Sequence, residues 1–118
     1  MSKDLQTATL PTTLAPVILI TGAARRIGAS IALALHDAGA RVILHARQSV
    51  TEAEALARRL NKARAESAHV VSADLLDIES IAPMVVNAVA QFGRLDGLIC
   101  NASSFFPTPL GQIDEAAW

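Results

Sequence analysis

Residues 17–28 read VILITGAARRIG, and the order of residue types in this stretch determines the predicted fold class. The run Val17–Thr21 is short and apolar, as expected of a β-strand that is buried on both faces of a sheet. Gly22 ends the run, and apolar residues then recur at helical spacing from Ile27 to Ala38. The stretch is therefore predicted to be a strand that turns through glycine into a helix.

The same alternation of strand and helix continues along the chain. Further strands are predicted at Arg41–His45, His69–Ser72 and Leu95–Cys100, and further helices at Thr51–Ala65 and at Ser80–Phe92. Thr51 has the spacing of a capping box, and Gly39 and Gly93 stand where glycines end helices. Pro83 fits the first turn of a helix capped by Ser80, whereas an earlier start would put it in the helix interior and require a kink.

This order predicts an α/β fold, the Rossmann-type doubly wound parallel sheet, with strand order 3-2-1-4 and truncated after the fourth strand. Residues 1–16 are expected to form a flexible N-terminal arm. Residues 17–118 are expected to form the N-terminal portion of a single nucleotide-binding domain, in which residues 101–110 are a loop.

Composition excludes several classes of function. The 118 residues carry 10 basic and 11 acidic side chains, which argues against a surface for nucleic acid or for an anionic membrane. Apolar runs are far shorter than the roughly 18 residues of a spanning helix. One cysteine allows no internal disulfide, no metal site is expected, and a cytoplasmic location is the default. His36 and His69 have no partner at ligand spacing and are predicted to be structural.

The turn after the first strand has the composition of a phosphate-binding turn. Gly22 permits a tight turn, and Gly28 lets the helix pack closely on the strand. Backbone N–H groups at the start of a helix attract phosphate, and Arg25 and Arg26 add positive charge. The alternative is a surface turn with two solvated arginines, but its place directly after the first strand favours a dinucleotide site.

Residues at the ends of the second and third strands indicate which dinucleotide is bound. Proteins that bind NAD usually place an acidic residue after the second strand to hold the ribose 2′-OH, and residues 45–49, HARQS, contain none. Arg47 can pair with a 2′-phosphate and Ser49 can donate a hydrogen bond to it, so NADP(H) is preferred, unless Arg47 is merely solvated. Asp74 could accept from the adenine amino group, or it could be an ordinary turn or helix-cap aspartate.

These residues together resemble the N-terminal half of a short-chain dehydrogenase/reductase. The resemblance rests on the spacing of Thr21, Gly22, Arg26 and Gly28, on Asp74-Leu75, and on residues 101–103, NAS. Most members carry glycine where this chain has Arg26. That arginine, together with residues 101–110, NASSFFPTPL, is similar to the pteridine reductase branch, although Cys100 replaces a usual asparagine.

The resemblance implies a role for each matching residue. Those implied to contact NADPH or NADP are Gly22, Arg25, Arg26, Ile27, Gly28, His45, Arg47, Ser49, Asp74, Leu75, Asn101, Ala102 and Ser103. Arg26, Ser103 and Phe105 are implied to contact a pterin or folate-like substrate, with Phe105 stacked on the ring. Members assemble as tetramers, so the parent enzyme is expected to be a homotetramer.

The residues that complete the reaction in this family do not occur in the sequence. The proton donor is a tyrosine followed four residues later by a lysine; this chain has no tyrosine, and Lys62 lies in the second predicted helix. No catalytic residue is therefore expected here. We expect the chain to be the N-terminal part of a pteridine-reductase-like enzyme, because residues 98–100, LIC, lack the charge, proline or bulge that protects an exposed edge strand. The alternatives are a non-catalytic nucleotide-binding module and a short-chain reductase with another carbonyl substrate.

Overall fold

A computed structural model describes residues 14–102 of the chain. In order, the elements are β1 (Val17–Ile20), α1 (Arg26–Asp37), β2 (Arg41–Ala46), α2 (Val50–Ala63), β3 (Ala68–Ser72), α3 (Ile78–Phe92) and β4 (Gly97–Ile99). The strands form one parallel sheet in the order β3-β2-β1-β4. Both the α/β class and the predicted strand order are confirmed.

Successive residues of the central strands face opposite sides of the sheet, and each side has its own core. One core contains Ile20, Val42 and Leu44 with Ala32 and Ala57 from α1 and α2. The other core contains Val17, Leu19 and Ile43, and α3 contributes Met84 and Ala88 to it. Both faces are therefore covered by helices, which explains why the strands are continuous apolar runs rather than alternating ones.

Two of the three helix ends follow the glycine pattern of the sequence. Gly39 follows α1 with φ +107°, and Gly93 follows α3 with φ +78°, both in the left-handed region that favours glycine. The start of α2 differs from the prediction, because Ser49 rather than Thr51 is the N-cap. The capping-box interpretation of Thr51 was wrong by two positions, because the turn after β2 ends at Ser49 and the helix begins at Val50.

The start of α3 also differs. The helix begins at Ile78 after the N-cap Asp77, whose carboxylate accepts from the Glu79 N–H at 3.2 Å. Ser80 is not the cap; its hydroxyl donates to the carbonyls of Asp74 and Asp77. Pro83 therefore lies inside the helix, where it cannot donate to the carbonyl of Glu79.

The fourth strand lies at one end of the sheet beside β1, and its Leu98 is 57% exposed. Within residues 14–102 no helix combines the length and the apolar character needed to cross a membrane. The same residues contain no group of three or more histidine, cysteine, aspartate or glutamate side chains that could hold a metal ion.

Candidate cofactor site

The candidate site lies at the carboxyl edge of the sheet, where β1, β2, β3 and β4 all end. The chain leaves β1 toward β2 on one side, and it later returns to place β4 on the other side of β1. Such a reversal of strand order opens a crevice outside the carboxyl ends of the strands, which is where open α/β sheets bind ligands. The turn between β1 and α1 stands directly at this crevice.

Two glycines allow this turn to pack against its neighbours. A Cβ atom on Gly28 would lie 2.0 Å from the carbonyl oxygen of Gly22 and 2.7 Å from Nδ2 of Asn101. Gly22 has φ +62°, and a Cβ there would lie 2.9 Å from the Cα of Ala102. No side chain fits at either position, so the predicted purpose of both glycines, a tight turn and a close helix–strand contact, is confirmed by the geometry.

Thr21 ties the turn to the end of β4. Its buried hydroxyl oxygen accepts from the N–H groups of Asn101 at 2.8 Å and of Ala102 at 3.0 Å. The side-chain amide of Asn101 donates to the Gly22 carbonyl at 3.1 Å. The sequence motif contains Thr21, but sequence reasoning assigned no role to it. The available signal was a polar residue at the end of a buried apolar run.

His45 supports the same turn from β2. The Gly22 N–H donates to its Nδ1 at 3.0 Å, and its Nε2 lies 2.9 Å from the carbonyl oxygen of Ala73. The backbone carbonyl of His45 also accepts from the Ala23 N–H at 2.9 Å. The imidazole is buried, with 2% of the residue exposed. Its predicted role beside the 2′-phosphate stays a prediction, but its contacts here are with the backbone of the turn.

Within residues 14–102, no side-chain hydrogen bond caps the start of helix α1. Arg25 is the N-cap and makes no side-chain cap hydrogen bond to the described residues. The N–H groups of the first turn of a helix lack intrahelical acceptors, so they can bind an anion. Arg26 has φ +53°, in the left-handed region, and the Ile27 side chain is largely exposed. The position at which the resembled family usually has glycine is therefore a position whose backbone favours glycine.

Charged side chains flank the turn on the side of β2 and β3. Arg47 lies 3.6 Å from Asp74, and Arg25 lies 3.7 Å from Glu52 in the first turn of α2. Each of the four side chains is at least 40% exposed, so these ion pairs contribute little to stability and can rearrange around a ligand. Sequence reasoning missed Glu52; its place one turn beyond a candidate phosphate residue was the available signal.

The remaining site residues lie at the same edge or outside the described chain. The Asp74 carboxylate accepts from the Leu76 N–H at 2.9 Å, so it also forms the turn that the alternative interpretation expected. Leu75 packs in part against the core on the α3 side. Ser49 caps α2 by position only, with no side-chain cap hydrogen bond to a described residue. Ser103 and Phe105 lie outside the described residues.

Comparison with known proteins establishes the family. A family model described as "short chain dehydrogenase" matches residues 16–118. The chain belongs to the short-chain dehydrogenase family, as the spacing of the turn residues, Asp74-Leu75 and residues 101–103 had indicated.

Individual relatives are similar over most of this chain. Pteridine reductase 1 of Leishmania tarentolae is 42% identical over 117 residues, covering 85% of this chain and 40% of that protein. A 3-oxoacyl-[acyl-carrier-protein] reductase of Staphylococcus aureus is 35% identical over 100 residues, with coverage of 85% and 40%. An uncharacterized oxidoreductase of Mycobacterium tuberculosis is 40% identical over 94 residues, with coverage of 80% and 35%. The chain thus spans about 40% of the length of the first two relatives.

Proposed function

We propose that this chain forms the NADP(H) site of an oxidoreductase that reduces a dihydropterin or dihydrofolate ring. The observation that carries the cofactor part is the start of α1, which no side chain of residues 14–102 caps, together with Arg25 and Arg26 at that start and Arg47 at the end of β2. The residues fit a dinucleotide, because a pyrophosphate needs N–H donors and positive charge where the backbone can approach closely. When bound, the reduced nicotinamide supplies the hydride.

The preference for NADP(H) over NAD(H) rests on Arg47. Residues 45–49 offer no carboxylate for a ribose 2′-OH, whereas the Arg47 guanidinium is half-exposed at the end of β2. A guanidinium pairs with phosphate through two parallel hydrogen bonds. Asp74 holds Arg47 at this edge through the ion pair at 3.6 Å, and a 2′-phosphate would compete for the same guanidinium. In this proposal Ser49 donates a further hydrogen bond to the 2′-phosphate.

The substrate class rests on similarity. The match to pteridine reductase 1 at 42% identity exceeds the match to the 3-oxoacyl reductase at 35%. In this proposal Arg26, Ser103 and Phe105 line the pterin side, and Asn101 and Ala102 lie near the nicotinamide ribose. We assign no catalytic residue to the chain, since its 118 residues contain no tyrosine to act as the proton donor. A homotetramer in the cytoplasm is the assembly and location that we propose for the whole enzyme.

Binding of NADPH and NADH by calorimetry tests the cofactor assignment. We expect Arg47→Ala to weaken NADPH about tenfold or more and to leave NADH within about twofold, because the lost charge-assisted bonds serve only the 2′-phosphate. Arg94→Ala is the matched control. Arg94 is an exposed arginine that pairs with Asp96 just before β4, at the amino edge of the sheet, whereas Arg47 lies at the carboxyl edge. Equal loss of both dinucleotides in Arg47→Ala would contradict the assignment.

A turnover assay on the full-length protein tests the substrate class. NADPH oxidation is followed with dihydrobiopterin and, separately, with a 3-oxoacyl thioester, and the intact mass of the same sample is recorded. Turnover with the dihydropterin alone supports the proposal. Turnover with the thioester alone favours the alternative of another carbonyl substrate. NADPH binding without turnover on either substrate favours a non-catalytic nucleotide-binding module.

A further inference from the structure

His45 joins three segments of the carboxyl edge. Its Nδ1 accepts from the Gly22 N–H at 3.0 Å, and its Nε2 meets the Ala73 carbonyl at 2.9 Å. The side chain thus spans from the phosphate-binding turn to the end of β3, and it does so from within β2. With 2% of the residue exposed, the imidazole lies beneath the turn rather than at the solvent side, where a ligand would approach.

The two partners fix the tautomer of the imidazole. A backbone N–H can only donate and a carbonyl can only accept, so Nδ1 carries no proton and Nε2 carries one. A doubly protonated ring would place an N–H against the Gly22 N–H, and the other neutral tautomer would satisfy neither partner. A histidine in this one tautomer satisfies both backbone groups at once.

Hydrogen bonds hold the two peptide groups that flank the Cα of Gly22. His45 accepts from the Gly22 N–H, which belongs to the Thr21–Gly22 peptide, and Asn101 donates at 3.1 Å to the Gly22 carbonyl, which belongs to the Gly22–Ala23 peptide. Neither peptide group can rotate without breaking its hydrogen bond. The orientation of these two peptides sets the direction in which the chain continues toward α1, and therefore the direction of the N–H groups at Arg26 and Ile27.

We propose that His45 is a positioning residue that sets the phosphate-binding turn through its hydrogen bond to the Gly22 N–H, and that it does not contact a phosphate itself. The proposal rests on the proposed cofactor site. It differs from the role beside the 2′-phosphate that family resemblance implies for this position. The two roles predict different losses for ligands with and without a pyrophosphate group.

Two variants each keep half of the histidine's hydrogen bonding. In His45→Asn, the side-chain oxygen can occupy the position of Nδ1 and accept from Gly22. In His45→Gln, the side-chain nitrogen can reach the position of Nε2 and donate to Ala73, while the Gly22 N–H loses its acceptor. We expect NADPH affinity to fall about threefold or less in the asparagine variant and about tenfold or more in the glutamine variant.

A second ligand separates positioning from direct contact. Adenosine 2′,5′-bisphosphate carries the 2′-phosphate but no pyrophosphate. For His45→Gln we expect its affinity to fall clearly less than that of NADPH, because the turn serves the pyrophosphate. Equal losses for the two ligands would show direct contact with the 2′-phosphate and overturn the proposal. Equal NADPH affinities in the asparagine and glutamine variants would also overturn it.

Measurements on the ligand-free wild-type protein decide the proposal if a variant fails to fold. Nitrogen-15 NMR of the histidine rings should show a proton on Nε2 and none on Nδ1 of His45, and the Gly22 amide should exchange slowly with solvent. A proton on Nδ1, or rapid exchange at Gly22, would overturn the proposal. If the wild-type protein does not bind NADPH, the proposed function fails, whereas these NMR results still report separately on the hold of His45 on Gly22.

Discussion

The amino edge and the carboxyl edge of the same parallel sheet both gather arginine, asparagine and histidine side chains. At the amino edge, the Arg64 guanidinium donates to the carbonyls of His36 and Ala40, which closes the end of α1. The Asn61 amide bonds to both polar groups of Ala68 and to the Ser67 N–H. These polar side chains are engaged with backbone groups of the fold.

The carboxyl edge uses the same residue types differently. There the buried side chains of Thr21 and His45 bond to backbone groups in and beside the turn, while Arg25 and Arg47 are about half exposed and, among residues 14–102, form ion pairs with exposed carboxylates. Exposed ion pairs of this kind exchange partners at little cost. Polar residues at the amino edge therefore stabilise the fold, whereas in the proposed cofactor site the exposed arginines at the carboxyl edge are the groups that an anion can reach.

The largest effect is expected from filling the space at Gly28. In Gly28→Ala, the new Cβ would lie 2.0 Å from the Gly22 carbonyl, so the turn must shift. We expect a loss of about 1–3 kcal/mol in the free energy of unfolding and a loss of NADPH binding of more than tenfold. Urea denaturation and calorimetry measure the two quantities.

The matched control is a glycine near the amino edge. Gly39 has no atom within 4 Å of an added Cβ but has φ +107°, so Gly39→Ala also loses stability through backbone strain. Its NADPH affinity should stay unchanged. If the NADPH affinity falls equally in both variants, the proposed separation between a structural amino edge and a binding carboxyl edge is wrong.

An effect confined to stability is expected at Asn61. Asn61→Ala removes three hydrogen bonds at 2.9 Å from partly buried backbone groups of Ser67 and Ala68. We expect the free energy of unfolding to fall by about 2–3 kcal/mol, since unsatisfied buried groups cost more than a lost exposed bond. NADPH affinity, measured where the variant is still folded, should remain within about twofold of the wild type. Gln91→Ala, at an exposed position of α3, is the control for the removal of a side-chain amide.

The amino edge should also make stability depend on pH. Burial lowers the pKa of His36, and the nearby Arg64 lowers it further; burial likewise lowers the pKa of His69. Below a pH of about 6.5 the unfolded chain then binds protons that the folded chain does not. Stability is therefore fully present above that pH and falls as the pH decreases toward 5, by at most about 1.4 kcal/mol per pH unit and per histidine.

The control for this pH dependence is a side chain that cannot titrate. His36→Gln retains a polar group near the Ser67 hydroxyl, which lies 2.6 Å from Nε2 in the wild type. Its unfolding free energy between pH 7 and pH 5, measured in urea, should decrease less steeply than that of the wild type. An identical slope would show that His36 is not responsible.

Most of the fold behind these two edges could be predicted from the sequence, because its strands and helices follow short-range patterns. Apolar runs such as Val17–Thr21 and glycines such as Gly39 are local signals, and they predicted the strands, the sheet order and the turn. The starts of α2 and α3 could not be predicted in the same way. Several residues could cap each helix. Asp77 caps α3 through a local bond from the Glu79 N–H, whereas Ser49 is the N-cap of α2 without a side-chain cap hydrogen bond to a described residue.

The sequence predicts at which edge of the sheet the site residues lie, but it does not predict which side chains and backbone groups they contact. That Arg47 and Asp74 meet at one edge follows from parallel strands, whereas their ion pair depends on side-chain rotamers that no pattern encodes. His45 shows the same distinction more clearly. Family resemblance puts it near the cofactor, but its hold on Gly22 requires the three-dimensional arrangement of β1, β2 and β3.

The smallest effect is expected at Arg26. At this position stability favours a glycine, whereas binding of an anion favours a positively charged side chain. Its φ of +53° is unfavourable for a residue with a Cβ, so Arg26→Gly should raise the free energy of unfolding by about 1 kcal/mol. The same change removes a positive charge beside the start of α1 and should weaken NADPH by a few-fold, more at low salt than at high salt. Arg26→Ala separates the two contributions, because it removes the charge but keeps the strain. If the glycine variant is no more stable than the alanine variant, the strain at this turn is not a cost that the site imposes on the fold.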